Sequence, residues 1–399
     1  MICSNIKRPQ VALLIESSRA YGRGLLRGIA RYVREHGPWS IYYQERRQGD
    51  APPSWLRDWS GDGIIARVDD REMARAIQRH GVPAVDLRGL FTDLSMPLIE
   101  TDDEEVVRLS VEHLRERGFR QFAYCGFPGT NYSDKREMMF VRHLQAVGLP
   151  CEVFAPSKPL RSGGTFAMEQ HGLVHDKDVS HWLAQLPQPI GLLCCNDIRG
   201  QQVLGLCRQL GLAVPDEIAV LGIDNDEVHC ELADPPLSSV IMNTGKIGYE
   251  AAALLASMME GAPPPAAPRF VPPKGIATRR STEVLAITDR QVATAVRFIR
   301  ERACMGIQVS DILQAVPLSR SSLERRFATA LHRTPKEEIL RVQMQRAKDL
   351  LVASDFSLAE IANKTGFKHA EYLNVIFKIK TGQTPGQYRA TNQLPGIRQ

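Results

Sequence analysis

The sequence predicts a two-lobed α/β domain with parallel sheets, followed by an all-α domain that carries two helix-turn-helix units. Three observations lead there. From Val11 onward, short apolar runs alternate with amphipathic helical stretches, the rhythm of parallel strands joined by helices. That rhythm runs through two successive series, before and after a helical stretch at Asp103–Arg117. Beyond about residue 289 the strands cease, and two segments each read as short helix, tight turn, second helix. A chain of 399 residues is also longer than one typical core supports, so several domains are expected.

In chain order, Val11–Ile15 is an uninterrupted apolar run, as a strand buried on both faces requires. An amphipathic helix follows near Gly22–His36, then strands at Trp39–Gln44 and Gly63–Val68. A helix around Arg71–His80 and a strand at Pro83–Leu87 complete the first series. The second series has strands at Gln121–Gly126, Cys151–Ala155, Ile190–Cys195 and Ile218–Ile223. Its helices fall near Asp134–Val147, Asp176–Gln185 and Ile198–Leu210. In such sheets, ligand-facing loops lie at the carboxyl ends of the strands. A helix near Gly245–Met259 is expected to return to the first lobe. The Pro-rich stretch Gly261–Pro268 reads as a crossover loop ahead of a last strand at Arg269–Pro272. The expected boundaries are 1–282 for the front domain, 283–288 for a linker and 289–399 for the tail. Within the front domain, lobe 1 takes about 10–117 plus 241–262, and lobe 2 about 118–240 plus 266–282.

The tail holds its two units at Gln308–Phe327 and Ser357–Phe377, joined by a helix of about Pro335–Val352. In each unit a short helix places a small residue, Ala315 or Ala362, on its inner face. The second helix then sets Leu323 and Phe327, or Leu373 and Phe377, on one side and polar residues on the other. A helix of that kind can lie in a DNA major groove. Ser319 is a good N-cap for the first of these, and Arg320, Ser321, Glu324 and Arg325 fall on its polar side. His369, Ala370, Glu371 and Asn374 occupy the corresponding face of the second.

Charge separates the two parts. From Ile287 to Gln399 there are 18 Lys/Arg and 10 Asp/Glu, so 18 − 10 = +8; the whole chain carries +5, leaving 5 − 8 = −3 for the front. A cationic helical tail suits phosphate binding. The eight cysteines show no paired Cys-x-x-Cys spacing and read as buried thiols of a reducing compartment. No apolar run approaches the roughly 18 residues a membrane span needs, and the start lacks a signal-peptide core. The expectation is a cytoplasmic protein with no membrane partner, no metal and no cofactor.

The tail resembles the AraC/XylS-type DNA-binding domain. The family pattern Ser-x-x-x-Leu-x-Arg-x-Phe is present as Ser319, Leu323, Arg325 and Phe327. Its closing signature is present as Phe377-Lys378, Gly382, Thr384-Pro385 and Tyr388-Arg389. One departure is Val375, where the family often has Arg. The resemblance implies double-stranded DNA as partner, with one chain placing two helices in successive major grooves, Lys378 among the contacts and a homodimer covering two such sites.

The front part resembles the LacI-type and periplasmic-binding-protein fold. The segments that carry this are Gly61–Ile65, Arg136-x-x-Met139-Phe140, Asn196-Asp197, Gly222–Asn225 and Leu237–Val240. Two departures are Met139 in place of a family glycine and the lack of an amino-terminal DNA-binding headpiece ahead of the strand at Val11. A sugar needs bidentate hydrogen bonds from charged planar groups and apolar walls for its ring. Arg136 and Asp224 are the leading candidates, Arg donating and carboxylate accepting. Asn196 and Asp197 end a strand and open a helix, where Asp197 either faces the ligand or caps the helix. Glu16, Ser17, Tyr21 and Asp69 follow strands and either face the cleft or serve loop solvation and capping. The order of parts is similar to that of the bacterial xylose-operon regulators. Tyr21-Gly-Arg, Gly28–Tyr32, Arg279–Thr282 and Ala303–Ile307 add to the likeness. That similarity implies a transcription activator switched by D-xylose and working with RNA polymerase.

Two other readings are weaker. A sugar-modifying α/β enzyme on a DNA-binding tether lacks the expected signatures. There is no Gly-x-x-x-x-Gly-Lys-Ser/Thr loop, no Gly-x-Ser-x-Gly elbow and no His-Glu-x-x-His motif. A transport receptor needs an export signal and has no use for a basic tail.

Overall fold

A computed structural model describes residues 8–91, 93–157, 169, 176–283, 289–331, 333–354 and 356–392. The chain divides into two compact units, Met1–Ala286 and Ile287–Gln399. The segment expected as linker, 283–288, lies outside the described residues apart from Glu283.

The strands of the first unit are β1 Gln10–Leu14, β2 Ser40–Tyr43, β3 Gly63–Ala66, β4 Ala84–Asp86, β5 Ile99–Thr101 and β6 Phe122–Cys125. They continue with β7 Cys151–Val153, β8 Ile190–Cys194, β9 Ile218–Asp224, β10 Ser238–Ile241, β11 Arg269–Val271 and β12 Gly275–Ala277. One sheet has the order β2-β1-β3-β4, all parallel. A second has the order β12-β10-β9-β8-β6-β7, parallel except for antiparallel β12. β1, β3, β6 and β8 are buried at every position beyond the first residue of β1, which is why they read as unbroken apolar runs rather than alternating ones.

The helices of this unit are α1 Ala20–His36, α2 Arg71–Gln78, α3 Asp103–Glu116, α4 Asn131–Ala146, α5 Asp176–Gln185, α6 Asp197–Leu210, α7 Glu227–Leu232 and α8 Thr244–Met259. α8 packs on α1 with their backbones close together. A Cβ at Gly28 would stand 2.1 Å from the Gly245 carbonyl oxygen, and one at Gly248 would stand 2.1 Å from that of Leu25. The two helices cover a core of Val11, Leu13, Ile65, Val85 and Leu255.

The structure corrects the expected lobe assignment in two places. Strand Arg269–Val271 does not join the second sheet. It pairs in parallel with β5, and Val271 packs into the first-lobe core. Helix α3, expected in the first lobe, buries Val106, Val107, Val111 and Leu114 against Phe119, Phe122 and Phe140 of the second. Both errors have one cause, since an apolar stripe shows that a face is buried but not against what. β5, β12, α7 and the turn of helix at Ser54–Asp58 were not expected; all are three to six residues long, too short for periodicity to register.

The second unit is helical: α9 Arg290–Arg302, α10 Val309–Ala315, α11 Arg320–Leu331, α12 Pro335–Ala353, α13 Leu358–Lys364, α14 Ala370–Thr381 and α15 Pro385–Asn392. Capping boxes start three of them, from Gln308 with Asp311, Thr334 with Glu337, and Ser357 with Glu360. Leu323 and Phe327 are fully buried, as are Leu373 and Phe377. Ala362 is buried as expected, but Ala315 is exposed; Ile312 supplies the inner face of α10, with Val316, buried just past its end. The closing signature has a mechanical role. The Tyr388 ring meets Phe377 edge-on at 5.3 Å, and the Arg389 guanidinium donates to the carbonyls of Leu351 and Phe356, tying the last helix down.

Candidate functional site

A cleft in the first unit encloses about 900 Å³ of empty space, part of it open to solvent. Its walls come from strand ends and helix starts of both sheets. Of the residues expected to face a ligand, Tyr21, Arg136, Asn196, Asp197 and Asp224 line it. Glu16, Ser17 and Asp69 do not. Glu16 is buried behind the wall in an ion pair with Arg67. Asp69 stands 2.8 Å from Nη1 of Arg88. Ser17 has its backbone tied into the loop, its N–H donating to the Arg46 carbonyl and its own carbonyl accepting from Arg23, and its hydroxyl is buried. In both acidic cases a guanidinium lies between the carboxylate and the cleft, and Arg67 and Arg88 are the lining residues. They lie within two residues of the ends of β3 and β4, so the strand-end rule that selected Asp69 also covered them.

Arg136 is buried on α4. Its Nε donates to Asp103 at 2.9 Å and its Nη1 to the Cys195 carbonyl at 2.7 Å. Burial opposes its charge, but the carboxylates of Asp103 and Asp224 outweigh that and hold its pKa above the ordinary value. Burial likewise pushes Asp224 up to about 6, with Arg136 pulling the other way. Glu100, another lining residue, is raised by burial to about 7 despite Lys135 at 3.3 Å.

Asp224 ends β9 with φ at 109°, a conformation that side chains rarely adopt, and Asn225 follows at 50°. Asp197 holds this turn. Its carboxylate accepts from the Ser239 hydroxyl at 2.5 Å and from the Asp226 N–H at 2.7 Å. The N-cap of α6 is Asn196, whose side-chain oxygen accepts from the Arg199 N–H at 2.9 Å. The capping role considered for Asp197 thus belongs to its neighbour. The Asn196 amide nitrogen donates across the cleft wall to Glu169 at 3.1 Å and the Tyr132 hydroxyl at 3.0 Å. Glu169 also pairs with Arg19 from the first lobe. No sequence pattern pointed to Glu169, which reaches the site over 150 residues from Arg19.

In the second unit, Ser319 accepts from the Ser322 N–H at 3.3 Å, opening α11. Arg320, Ser321, Glu324 and Arg325 are exposed, with Arg320 and Glu324 paired at 3.1 Å along the helix. On α14, Glu371, Asn374 and Lys378 are exposed, as is His369 just before it. Ala370 is not on that face; it is half-buried against the unit's core, because 100° per residue brings it close to Phe377. Net charge in this unit and exposed polar side chains on both second helices make a surface suited to a nucleic-acid backbone.

Three family models match the chain: a XylR N-terminal domain over residues 10–102, a periplasmic binding protein-like domain over 111–282 and a helix-turn-helix domain over 312–391. The xylose operon regulatory protein of Escherichia coli (strain K12) is 31% identical over 394 residues, 97% of this chain and 98% of that protein. This chain belongs to the xylose operon regulatory protein family. The member from Haemophilus influenzae is 30% identical over 95% of this chain and 98% of its own. A solved structure described as the xylose-binding transcription activator xylR superposes with a TM-score of 0.76 at 30% identity, covering 98% of this chain and 100% of that one. A cellobiose complex of the regulator CelR, at 19% identity and a TM-score of 0.55 over 69% of this chain, shares the front fold. The chain is therefore a sugar-responsive, DNA-binding transcription regulator and not an enzyme. No helix among the described residues is long and apolar enough to cross a membrane.

Proposed function

We propose that this protein activates pentose-catabolism genes when D-xylose enters the cleft. Tyr21, Arg136, Asn196 and Asp224 contact the sugar, together with Arg67 and Arg88, while Asp197 positions Asp224. The observation that carries the reading is the pairing of the lining guanidiniums. Arg19, Arg67, Arg88 and Arg136 each already face a carboxylate: Glu169, Glu16, Asp69 and Asp103. An anionic ligand gains little from cations so compensated and meets the carboxylates of Asp224 and Glu100 besides. A neutral polyol suits the site, since each hydroxyl both donates and accepts. D-xylose is the neutral pentose that the names of the relatives point to.

Residues 1–282 form the sensing part and 289–399 the DNA-binding part, joined through 283–288. Ser319, Arg320, Ser321, Glu324 and Arg325 serve the first reading helix; His369, Glu371, Asn374 and Lys378 serve the second. The active species is a cytoplasmic homodimer that recruits RNA polymerase. Sugar favours the DNA-competent state by its differential affinity for that state. The test is calorimetry of the full chain with D-xylose, other neutral pentoses and xylonate, alongside promoter-DNA titrations with and without sugar. Binding of xylose but not xylonate, with tighter DNA binding in its presence, is the expected result. Preference for the anion, or DNA affinity indifferent to every sugar, would overturn the reading.

A further inference from the structure

The two helix-turn-helix units can be laid over one another by residue number. Their buried anchors differ by a constant, 373 − 323 = 50 and 377 − 327 = 50, so each position on α11 has a counterpart on α14. At 100° per residue, Arg325 and Val375 sit on the side of their helices opposite the buried Leu and Phe. Around Arg325 lie Ser321, Ser322 and Thr329. The same places around Val375 hold Glu371, Tyr372 and Ile379. Val375 is 53% exposed and Ile379 69%, so most of this aliphatic surface is left uncovered by the fold, whereas Tyr372, 52% exposed, leans on the core ring of Phe367 at 6.0 Å.

We infer that the two reading helices recognise different base chemistry: α11 reads guanine through Arg325, whereas α14 reads thymine methyl groups through Val375, with Ile379 beside it. The inference rests on the DNA-reading role proposed above. A branched aliphatic side chain has no hydrogen bond to give a base edge, but the thymine C5-methyl is an apolar feature of the major groove that it can cover. What identifies DNA as the occupant is charge. Lys364, Lys368, Lys378 and Lys380 are all exposed on α13, α14 and the turn between them, against two carboxylates, Glu360 on α13 and Glu371 on α14. Asn374, also exposed on this helix, has the amide that pairs with adenine. The half-site under α14 is accordingly rich in A·T pairs, and that under α11 contains a guanine.

The experiment selects bound duplexes from a random pool with the full-length protein and D-xylose. Each thymine is then replaced singly by deoxyuridine, which lacks only the methyl group. At one or more positions the replacement weakens binding roughly fourfold, the value of one buried methyl-sized group. Val375→Ala, at an exposed position, folds normally and abolishes the difference between thymine and uracil there. Arg325→Ala keeps that difference and loses guanine selectivity in the other half-site. Uracil tolerated at every position, or sensitivity that persists in Val375→Ala, overturns the inference. So does a Val375→Ala protein with unchanged DNA affinity and thymine response but lost transcription, which would assign the patch to a protein partner. Failure to select any duplex sinks the DNA-reading proposal itself along with it.

Discussion

The hold of Asp197 on the turn at Asp224 can be loosened from two sides. Asp197→Asn replaces one carboxylate oxygen by an N–H₂ group, which must then face either the Asp226 N–H, a fixed donor, or the Ser239 hydroxyl, which would have to turn its proton away and give up the hydrogen bond it donates. Gly222→Ala leaves Asp197 unchanged but puts a Cβ 2.3 Å from its Oδ1 and 3.0 Å from the Leu237 side chain, so the carboxylate must move. A hydrogen bond to a charged group contributes about 1.5–3 kcal/mol. Burial and the neighbouring Asp224 push the Asp197 pKa well up, which favours the lower end of that range. Losing one to two such bonds costs about 2–3 kcal/mol of stability. The left-handed backbone at Asp224, worth about 1–3 kcal/mol of strain, is then free to relax and withdraw its carboxylate from the cleft. Xylose affinity falls roughly 10- to 100-fold in both variants, by the usual 1.4 kcal/mol per decade. Urea denaturation of the full chain reads the stability change, and calorimetry reads the affinity. If Asp197→Asn abolished binding with an unchanged denaturation midpoint while Gly222→Ala bound normally, Asp197 would be a direct sugar ligand and the positioning argument would fail.

Three further outcomes follow from the same geometry. Arg279 donates to Asn225 at 2.9 Å and to the Leu237 carbonyl at 3.0 Å, joining the turn beside the cleft to the last stretch of the first unit; Arg279→Ala should lower sugar affinity only a few-fold yet shrink the sugar-induced change in DNA affinity by about 0.5–2 kcal/mol, measured by DNA titration at zero and saturating xylose. Asp224 has its pKa raised from 3.8 to about 6 in the folded state, so its contribution to stability is full below about pH 4 and is lost as pH rises through 6. Asp224→Asn should therefore gain on the parent protein by about 3 kcal/mol between pH 4 and 7 in sugar-free denaturation, and parallel curves would refute the shift. Phe377→Ala empties a fully buried site and should cost the second unit about 3–5 kcal/mol, abolishing DNA binding while xylose calorimetry stays unchanged.

Much of this architecture was legible because the signals are local. Buried parallel strands declare themselves as apolar runs, as Val11–Ile15 does. Helix starts such as Ser357 with Glu360 are written within four residues, and the anchors Leu373 and Phe377 recur at the spacing of one helical turn. Asn196 and Asp224 lie at a helix start and a strand end, where a parallel sheet exposes its functional groups, and Arg136, in the second turn of α4, is marked by the family-like segment around it. What stayed hidden depends on partners far along the chain. Glu16 and Asp69 were as well placed by position as Arg67 and Arg88. Only the packed lobe decides that the guanidiniums face the cleft and the carboxylates stand behind them, since an ion pair fixes proximity but not which partner points outward. The same holds for strand Arg269–Val271, whose alternation fits either sheet until β5 takes it, and for Glu169, which reaches Arg19 and Asn196 across the whole site. The sequence by itself determined the longer strands and helices, because propensity, capping and periodicity act over a few residues. Tertiary structure alone decided which lobe each joins, which charges meet the ligand and how Asp224 is held, because those depend on contacts between residues tens to hundreds of positions apart.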